Sequence, residues 1–238
     1  MEKPQLHEEQ YDRKKFIKTG LITVAGSVAI SLMPACGGKG DDDEGQQVSP
    51  PEDLMQEHGL LNRILLIYDH CRTQLVNKAA FPMTAIASSA AIIRQFVEDY
   101  HEKQEENYLF PRFKKANQLT DLVNILLQQH QAGRTLTDKI MHLSKTSPVT
   151  DNDSKQLLDA LTAFNVMYRP HEAREDTVLF PAFRKIVSNN EYDSLGEEFE
   201  KNEQKLFGED GFAMMVGKVA DIEKQLGIYD LTQFTPPV

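Results

Sequence analysis

A stretch of thirteen residues occurs twice in this chain, and this repeat is the feature that most constrains the fold. The first copy begins at His101 and reads HEKQEENYLFPRF; the second begins at His171 and reads HEAREDTVLFPAF. In both copies a glutamate, Glu105 or Glu175, follows the histidine by four residues. Because four residues turn an α-helix through about 400°, the histidine and the glutamate share one helix face. Each copy therefore places an imidazole beside a carboxylate.

The repeat extends upstream, because a single histidine precedes each copy at a similar distance. His58 precedes His101 by 43 residues, and His130 precedes His171 by 41. Each half of the chain thus predicts a helical hairpin with one histidine on its first helix and the H-x-x-x-E pair on its second. When the two hairpins pack on each other, these residues converge: His58, His101, Glu105, His130, His171 and Glu175.

Polar side chains on the apolar faces of bundled helices need partners. A lone histidine on such a face is usually a hydrogen-bonded core residue, and an isolated H-x-x-x-E pair is usually exposed. Several imidazoles and carboxylates buried together without partners would cost on the order of several kcal/mol each. A metal ion removes this cost. Imidazole and carboxylate donors without thiolate favour iron or manganese over structural zinc, and two carboxylates between the halves favour a dinuclear centre.

The helical pattern covers the chain from residue 52 onward, where Leu, Ile, Ala, Glu and Gln dominate without β-type alternation. We predict an all-α fold, in which residues 52–188 form an up-down-up-down four-helix bundle. Residues 189–238 form a C-terminal helical extension that packs on this bundle. Its predicted packing face contains Met214, Met215, Val219, Ile222 and Leu226. The predicted bundle helices run from about Asp53 to Val76, Thr84 to Leu109, Thr120 to Ser144 and Asp153 to Phe180. The second of them is expected to end or kink at Pro111.

The first residues of the chain predict export instead of a fold. Arg13, Lys14, Lys15 and Lys18 precede an uncharged, largely apolar run over residues 19–35, and Cys36 follows it. This pattern indicates an export signal over residues 1–35, cleavage with lipidation of Cys36, and a flexible acidic tether over residues 36–51. An uncleaved membrane anchor and a simple secreted protein are the alternatives. We therefore expect a protein held at the cell envelope by a lipid anchor.

Charge and missing motifs exclude several classes of function. The net charge is −10, which disfavours a surface that binds nucleic acid by neutralising phosphates. The sequence contains no glycine-rich phosphate loop, no CxxC pair and no Ser-His-Asp order. These absences disfavour nucleotide-binding, thiol-redox and hydrolase chemistry.

On these residues the chain resembles the hemerythrin family, in its bacterial branch of HHE cation-binding domains. The resemblance covers residues 52–188 and rests on the spaced histidines and both LFPxF copies. It implies a non-haem site with two iron ions. In that site His58 and His101 bind one iron, His130 and His171 bind the other, and Glu105 and Glu175 bridge them.

One position departs from the oxygen-carrying members, which have H-x-x-x-H on the third helix. Here Arg134 stands four residues after His130, and arginine cannot act as a ligand because it stays protonated. Glu102, Glu172 and Asp176 are candidate replacement ligands. Arg134 itself becomes a candidate neighbour of the metal.

Tyr168, one turn before His171, is a candidate hydrogen-bond donor to a bound oxygen species. The resemblance and the missing fifth histidine predict a non-haem di-iron protein that binds or senses O2, NO or peroxide. Two alternatives stay open: a di-iron peroxidase or NO-reactive repair-type enzyme, and a module that stores or senses iron and passes it to a partner. The sequence does not decide whether the chain is an enzyme.

Overall fold

The computed structural model of the chain describes residues 48–146 and 150–236. Within these ranges the secondary structure is helical and contains no strand, as the sequence predicts. None of the helices in these ranges combines the length and apolarity that a membrane crossing requires. The predicted export signal, Cys36 and most of the acidic tether lie outside the described residues.

Helix α1 spans Pro50–Asn77. It begins at a reciprocal cap, in which the backbone N–H and the hydroxyl of Ser49 donate to Glu52 at 3.2 and 2.7 Å. The prolines of the first turn fit because the first helical N–H groups have no partner within the helix. Lys78 then ends the helix in a left-handed conformation with φ 52°.

Helix α2 is continuous over residues 83–116 but alternates between α and π geometry. Its segments are Met83–Ile92 (α), Ile93–His101 (π), Glu102–Gln104 (α), Glu105–Leu109 (π) and Phe110–Ala116 (α). The sequence predicted an end or a kink at Pro111, whereas the helix continues past it to Ala116. Just before this proline, the N–H of Phe110 donates to the carbonyl of Glu105, five residues back. The π turn shifts the hydrogen-bond register where proline lacks a donor, so the helix is not broken.

Helix α3 spans Thr120–Leu143. Helix α4 covers residues 151–183 and combines Asp151–Arg174 (α), Glu175–Leu179 (π) and Phe180–Phe183 (α). The π turn of α2 recurs here, because the N–H of Phe180 donates to the carbonyl of Glu175. Pro170 lies inside α4 without ending it. The sequence repeat is therefore also a repeat of backbone geometry, because the π segments Glu105–Leu109 and Glu175–Leu179 each begin at a predicted ligand.

Helices α5 (Asn189–Phe207) and α6 (Gly211–Leu226) follow, and a short 3-10 turn spans Leu231–Phe234. Helix α6 adds Phe212, Met215, Val219 and Ile222 to an apolar cluster formed with α1 to α4. The sequence also placed Met214 on this face, but its side chain is 40% exposed. One residue turns a helix by about 100°, which takes Met214 off the stripe that contains Met215.

A second apolar cluster collects the LFPxF residues of both repeats. It contains Leu109, Phe110 and Phe113 from α2, Leu179, Phe180 and Phe183 from α4, and Leu195 and Phe199 from α5. All of these side chains are buried. The repeated LFPxF sequence therefore supplies core packing next to the residues that the H-x-x-x-E sequence places on the same helices.

Candidate metal centre

The structure brings the predicted histidines together in two pairs. The rings of His58 on α1 and His101 on α2 have centroids 4.8 Å apart, and those of His130 on α3 and His171 on α4 are 5.0 Å apart. All four side chains are buried. Each half of the chain thus contributes one pair of imidazoles, as the sequence repeat predicts.

Glu105 lies between the two pairs. Its Oε2 atom is 3.8 Å from Nε2 of His101 and 3.4 Å from Nε2 of His130. His101 belongs to the same helix as Glu105, whereas His130 belongs to α3 in the second half of the chain. The carboxylate therefore joins the two halves of the site.

Glu175 takes the equivalent position from the second half. Its Oε2 atom is 3.1 Å from Nε2 of His171, on the same helix, and 3.4 Å from Nε2 of His58 on α1. Both carboxylates are fully buried. The predicted ligand residues thus form one contiguous group, in which each carboxylate lies between imidazoles of different pairs.

Five inward-facing atoms of this group lack hydrogen-bond partners. Both carboxylate oxygens of Glu105, both of Glu175 and Nε2 of His130 are buried and accept or donate no hydrogen bond. Buried groups of this kind are rare because each costs about 1–3 kcal/mol or more. Two donor sets have ligand atoms within 4.8 Å of one another: His58, His101 and Glu105, and His130, His171 and Glu175. Nitrogen and oxygen donors in this arrangement fit a metal cation.

The outward nitrogen of each imidazole is held by an acceptor from another helix. Nδ1 of His101 donates to Glu57 at 2.7 Å, and Nδ1 of His171 donates to Gln129 at 2.9 Å. Since Nδ1 holds the proton, Nε2 presents its lone pair to the centre. Glu57 and Gln129 immediately precede the first histidine of their half, so they are equivalent positions of the repeat.

The other two imidazoles are held across the halves. Nδ1 of His58 donates to Asp176 at 2.7 Å, and Nδ1 of His130 donates to Glu106 at 3.1 Å. Both acceptors immediately follow the central glutamate of their copy. The sequence analysis considered Asp176 as a replacement ligand and did not identify the other acceptors. Their equivalent positions in the two copies were the signal that could have revealed them.

In each half, the first histidine packs against a phenylalanine from the LFPxF sequence of the opposite half. His58 stacks on Phe180 with ring centroids 5.6 Å apart, and His130 stacks on Phe110 at 5.5 Å. These rings fix the imidazole planes and close the site against water. The two parts of the repeated stretch therefore serve one site: one part supplies polar groups and the other supplies packing.

Comparison with known protein families gives a match over helices α1 to α4. The family model of the hemerythrin HHE cation binding domain matches residues 49–183. The chain belongs to this hemerythrin family. Hemerythrin-family membership and the buried His and Glu groups make it a metal-binding protein, with iron as the typical cation.

Two relatives of this hemerythrin-family chain are uncharacterized proteins of Mycobacterium tuberculosis (strain ATCC 25618 / H37Rv) and Mycobacterium bovis (strain ATCC BAA-935 / AF2122/97). Each is 46% identical over 222 residues, which cover 90% of this chain and 87% of the relative. The similarity therefore extends beyond the matched domain. No solved structure matches the chain.

Arg134, which replaces a histidine of the oxygen-carrying hemerythrins, pairs with two carboxylates. Its Nη2 atom is 2.6 Å from Glu102 and 2.7 Å from Glu106. The Tyr168 hydroxyl donates to the other oxygen of Glu102 at 2.8 Å. Glu102 is thus engaged by Arg134 and Tyr168 instead of standing free as a replacement ligand. Glu102 and Glu106 also form a candidate cation group with His130, and there the guanidinium supplies the positive charge.

Asn62 takes the position equivalent to Arg134 in the first half of this hemerythrin-family chain. It follows His58 by four residues, as Arg134 follows His130. The Asn62 amide donates to Glu172, the counterpart of Glu102. The two halves therefore share one pattern of side-chain contacts. They differ in charge, because Asn62 has a neutral amide where Arg134 has a guanidinium.

Burial and neighbouring charges shift the protonation of the metal-free site. Burial lowers the pKa of His58, but the hydrogen bond to Asp176 and the negative charge of the nearby Glu175 outweigh it and raise the pKa to about 10. Burial lowers the pKa of His130 to about 4. Burial and the charge of Glu175 hold the pKa of Glu105 well above its usual range. Some of the predicted ligands are therefore protonated in the metal-free site. Binding of a cation to them would release these protons.

Proposed function

We propose that the chain is a non-haem di-iron protein that binds or reacts with a small diatomic molecule, O2 or NO, or with peroxide. The observation that carries this proposal is the position of Glu105 and Glu175. Each lies between imidazoles of different pairs, and neither has a hydrogen-bond partner. The residues that would hold the two ions are His58, His101, Glu105, His130, His171 and Glu175.

Iron is a better candidate than manganese for the bound metal, because iron is the typical cation of this family. When bound, iron supplies reversible one-electron chemistry and a coordination position for a small ligand. The chain supplies four imidazoles, and Arg134 stands where a fifth would be, engaged with Glu102 and Glu106. A site with one protein ligand fewer leaves more room for an exogenous molecule.

The surrounding residues orient the donors and exclude water. Glu57, Asp176, Glu106 and Gln129 hold the Nδ1 protons, so each Nε2 is available to a cation. Phe110 and Phe180 cover two of the imidazoles.

Turnover of peroxide or NO is the second candidate function. The observation that favours it is the buried Tyr168, whose hydroxyl binds Glu102 and whose ring lies 5.5 Å from the ring of His171. A pure carrier has no need of an oxidisable phenol next to a ligand.

We also propose the up-down-up-down order for helices α1 to α4 and an envelope location. Short connections between successive helices support the first, and the uncharged run before Cys36 supports the second. Fractionation of cells that express the full chain or its Cys36→Ser variant tests the location. We expect the full chain in membranes and the variant released from them; equal distribution would contradict lipidation.

The central experiment measures iron and its reactions in the purified full chain. Metal-free protein is titrated with ferrous iron without air, bound iron per chain is determined, and absorption is recorded after O2, NO and peroxide in turn. We expect bound iron and near-ultraviolet bands of a coupled ferric pair after oxidation. His130→Ala should lose iron, whereas the exposed His142→Ala should retain it. Wild-type protein without iron, or equal iron in both variants, would rule out the proposed centre.

A further inference from the structure

The hydroxyl of the buried Tyr168 has a hydrogen-bond partner on α2 and a close neighbour on α3. The side chain is 1% exposed, and the hydroxyl donates to Glu102 at 2.8 Å. On the facing helix α3 stands Gly133, where a Cβ atom would lie 2.0 Å from the Tyr168 hydroxyl oxygen. Residue 133 must therefore lack a side chain for the phenol to reach Glu102. Packing alone would be served by phenylalanine, which needs no buried partner for a hydroxyl.

Tyr168 also continues an aromatic series that starts at the proposed metal centre. Its ring centroid is 5.5 Å from that of His171 and 4.3 Å from that of Phe164. Phe164 contacts Tyr68 edge-on at 5.5 Å. The series therefore contains two buried phenols, one beside a predicted ligand and one farther along.

The two phenols differ in the group that could take their proton. Oxidation of a phenol by one electron releases the hydroxyl proton, so a neutral radical forms readily only where an acceptor is hydrogen-bonded. Tyr168 has the carboxylate of Glu102, which also pairs with Arg134. The Tyr68 hydroxyl is buried and makes no hydrogen bond.

We propose that Tyr168 is a redox-active residue that gives one electron toward the metal centre while its hydroxyl proton passes to Glu102. The O–H bond of Tyr168 breaks, and a neutral tyrosyl radical remains. The oxidant is hydrogen peroxide, which takes two electrons and two protons and becomes two waters. One electron comes from Tyr168 and one from the single ferrous ion of a half-oxidised centre, and solvent supplies the two protons. The inference rests on the proposed function, because an iron centre must be present to be oxidised.

Electron paramagnetic resonance of freeze-quenched samples tests this inference. Iron-loaded protein that has been half-oxidised, so that one ferrous ion remains per site, is mixed with hydrogen peroxide, and bound iron is measured on the same samples. We expect an organic radical signal that changes when ring-deuterated tyrosine is incorporated. Tyr168→Phe should reduce the signal to the background of metal-free protein with bound iron unchanged, whereas Tyr68→Phe should keep it. A signal that survives in Tyr168→Phe, or iron-loaded wild-type protein without a signal, overturns the inference.

Photochemical oxidation separates this inference from the proposed function. Protein that binds no iron disproves the di-iron proposal, and the phenols are then oxidised in metal-free protein by a flash-generated ruthenium(III) complex. A radical that is lost in Tyr168→Phe and kept in Tyr68→Phe supports the special role of Tyr168. The reverse pattern, or equal loss in both variants, contradicts it. Near-identical circular dichroism of the variants establishes that the fold is retained.

Discussion

The hydroxyl oxygen of Tyr168 lies 2.0 Å from the position that a Cβ atom on Gly133 would occupy. An alanine at this position forces the ring away from Glu102 or separates helices α3 and α4. We expect Gly133→Ala to lower the free energy of unfolding by about 1–3 kcal/mol, the usual cost of overpacking a core. Denaturant unfolding of the metal-free chain measures this change.

Gly59 provides the matched control, because a Cβ atom there meets nothing within 4 Å. Gly59→Ala lies on an exposed part of α1, and it should raise stability by about 1 kcal/mol through helix propensity. Removing the oxygen should partly relieve the clash, so the double variant with Tyr168→Phe should be more stable than additivity predicts. Equal effects of the two alanines would show that the close approach has no energetic consequence.

Replacing Asp176 tests the acceptors behind the imidazoles. Asp176→Asn keeps an oxygen for Nδ1 of His58 but removes the negative charge that makes this imidazole a better donor. We expect iron affinity to fall by about 10–100-fold, the typical effect of losing such a partner. Competition with a chelator measures the affinity. Asp159→Asn, an exposed change on the same helix, should leave it unchanged, and an unchanged affinity in Asp176→Asn would refute the positioning role.

Phe212 tests the contribution of α6 to the core. It is 4% exposed and belongs to the same apolar cluster as residues of α1 to α4, whereas its neighbour Met214 is 40% exposed. We expect Phe212→Ala to cost about 3–5 kcal/mol and Met214→Ala less than about 0.5 kcal/mol. Thermal or denaturant unfolding compares the two. Similar values would mean that α6 adds little to the stability of the domain.

Asp69 should make stability depend on acid pH. Burial raises its pKa, but hydrogen bonds from Arg169 and Asn165 outweigh this effect and lower the pKa below its ordinary value. A lowered folded-state pKa means that the carboxylate stabilises the fold above the unfolded pKa of about 3.9. This contribution is lost as the pH falls through the folded-state value.

Asp69→Asn should therefore lower the free energy of unfolding by at most about 1 kcal/mol at neutral pH, because the carboxylate is partly exposed. The difference from wild type should close at acid pH, in urea unfolding curves measured over a pH series. Asp193→Asn, an exposed change on α5, should show no such closing. A difference that persists in acid would assign the effect to lost packing instead of charge.

The helical class could be predicted because it depends on periodicity along each helix. The grouping of the six polar residues could be predicted because the same spacing occurs in both halves of the chain. His101 and Glu105 share a face by their spacing, and the repeat supplied the remaining members. The Nδ1 acceptors could not be predicted in the same way. The bond from His101 to Glu57 depends on the register between two helices, which spacing along each helix does not determine.

The π turns and the close approach at Gly133 also lay beyond the sequence reasoning. Proline usually ends or bends a helix, so Pro111 predicted a boundary, yet the hydrogen bond from Phe110 to Glu105 carries the helix past it. The sequence around Gly133 does not distinguish it from other glycines inside helices. Its role depends on Tyr168, which arrives from a different helix.

Neither half of the chain contains both carboxylates. Glu105 reaches the imidazole of the opposite half, and Glu175 does the same in return. If the two halves separate, each imidazole pair loses the carboxylate that reaches it from the other half. Exchange of metal should therefore be limited by opening of the whole bundle, so that a chelator removes the ions in one kinetic step whose rate follows global unfolding.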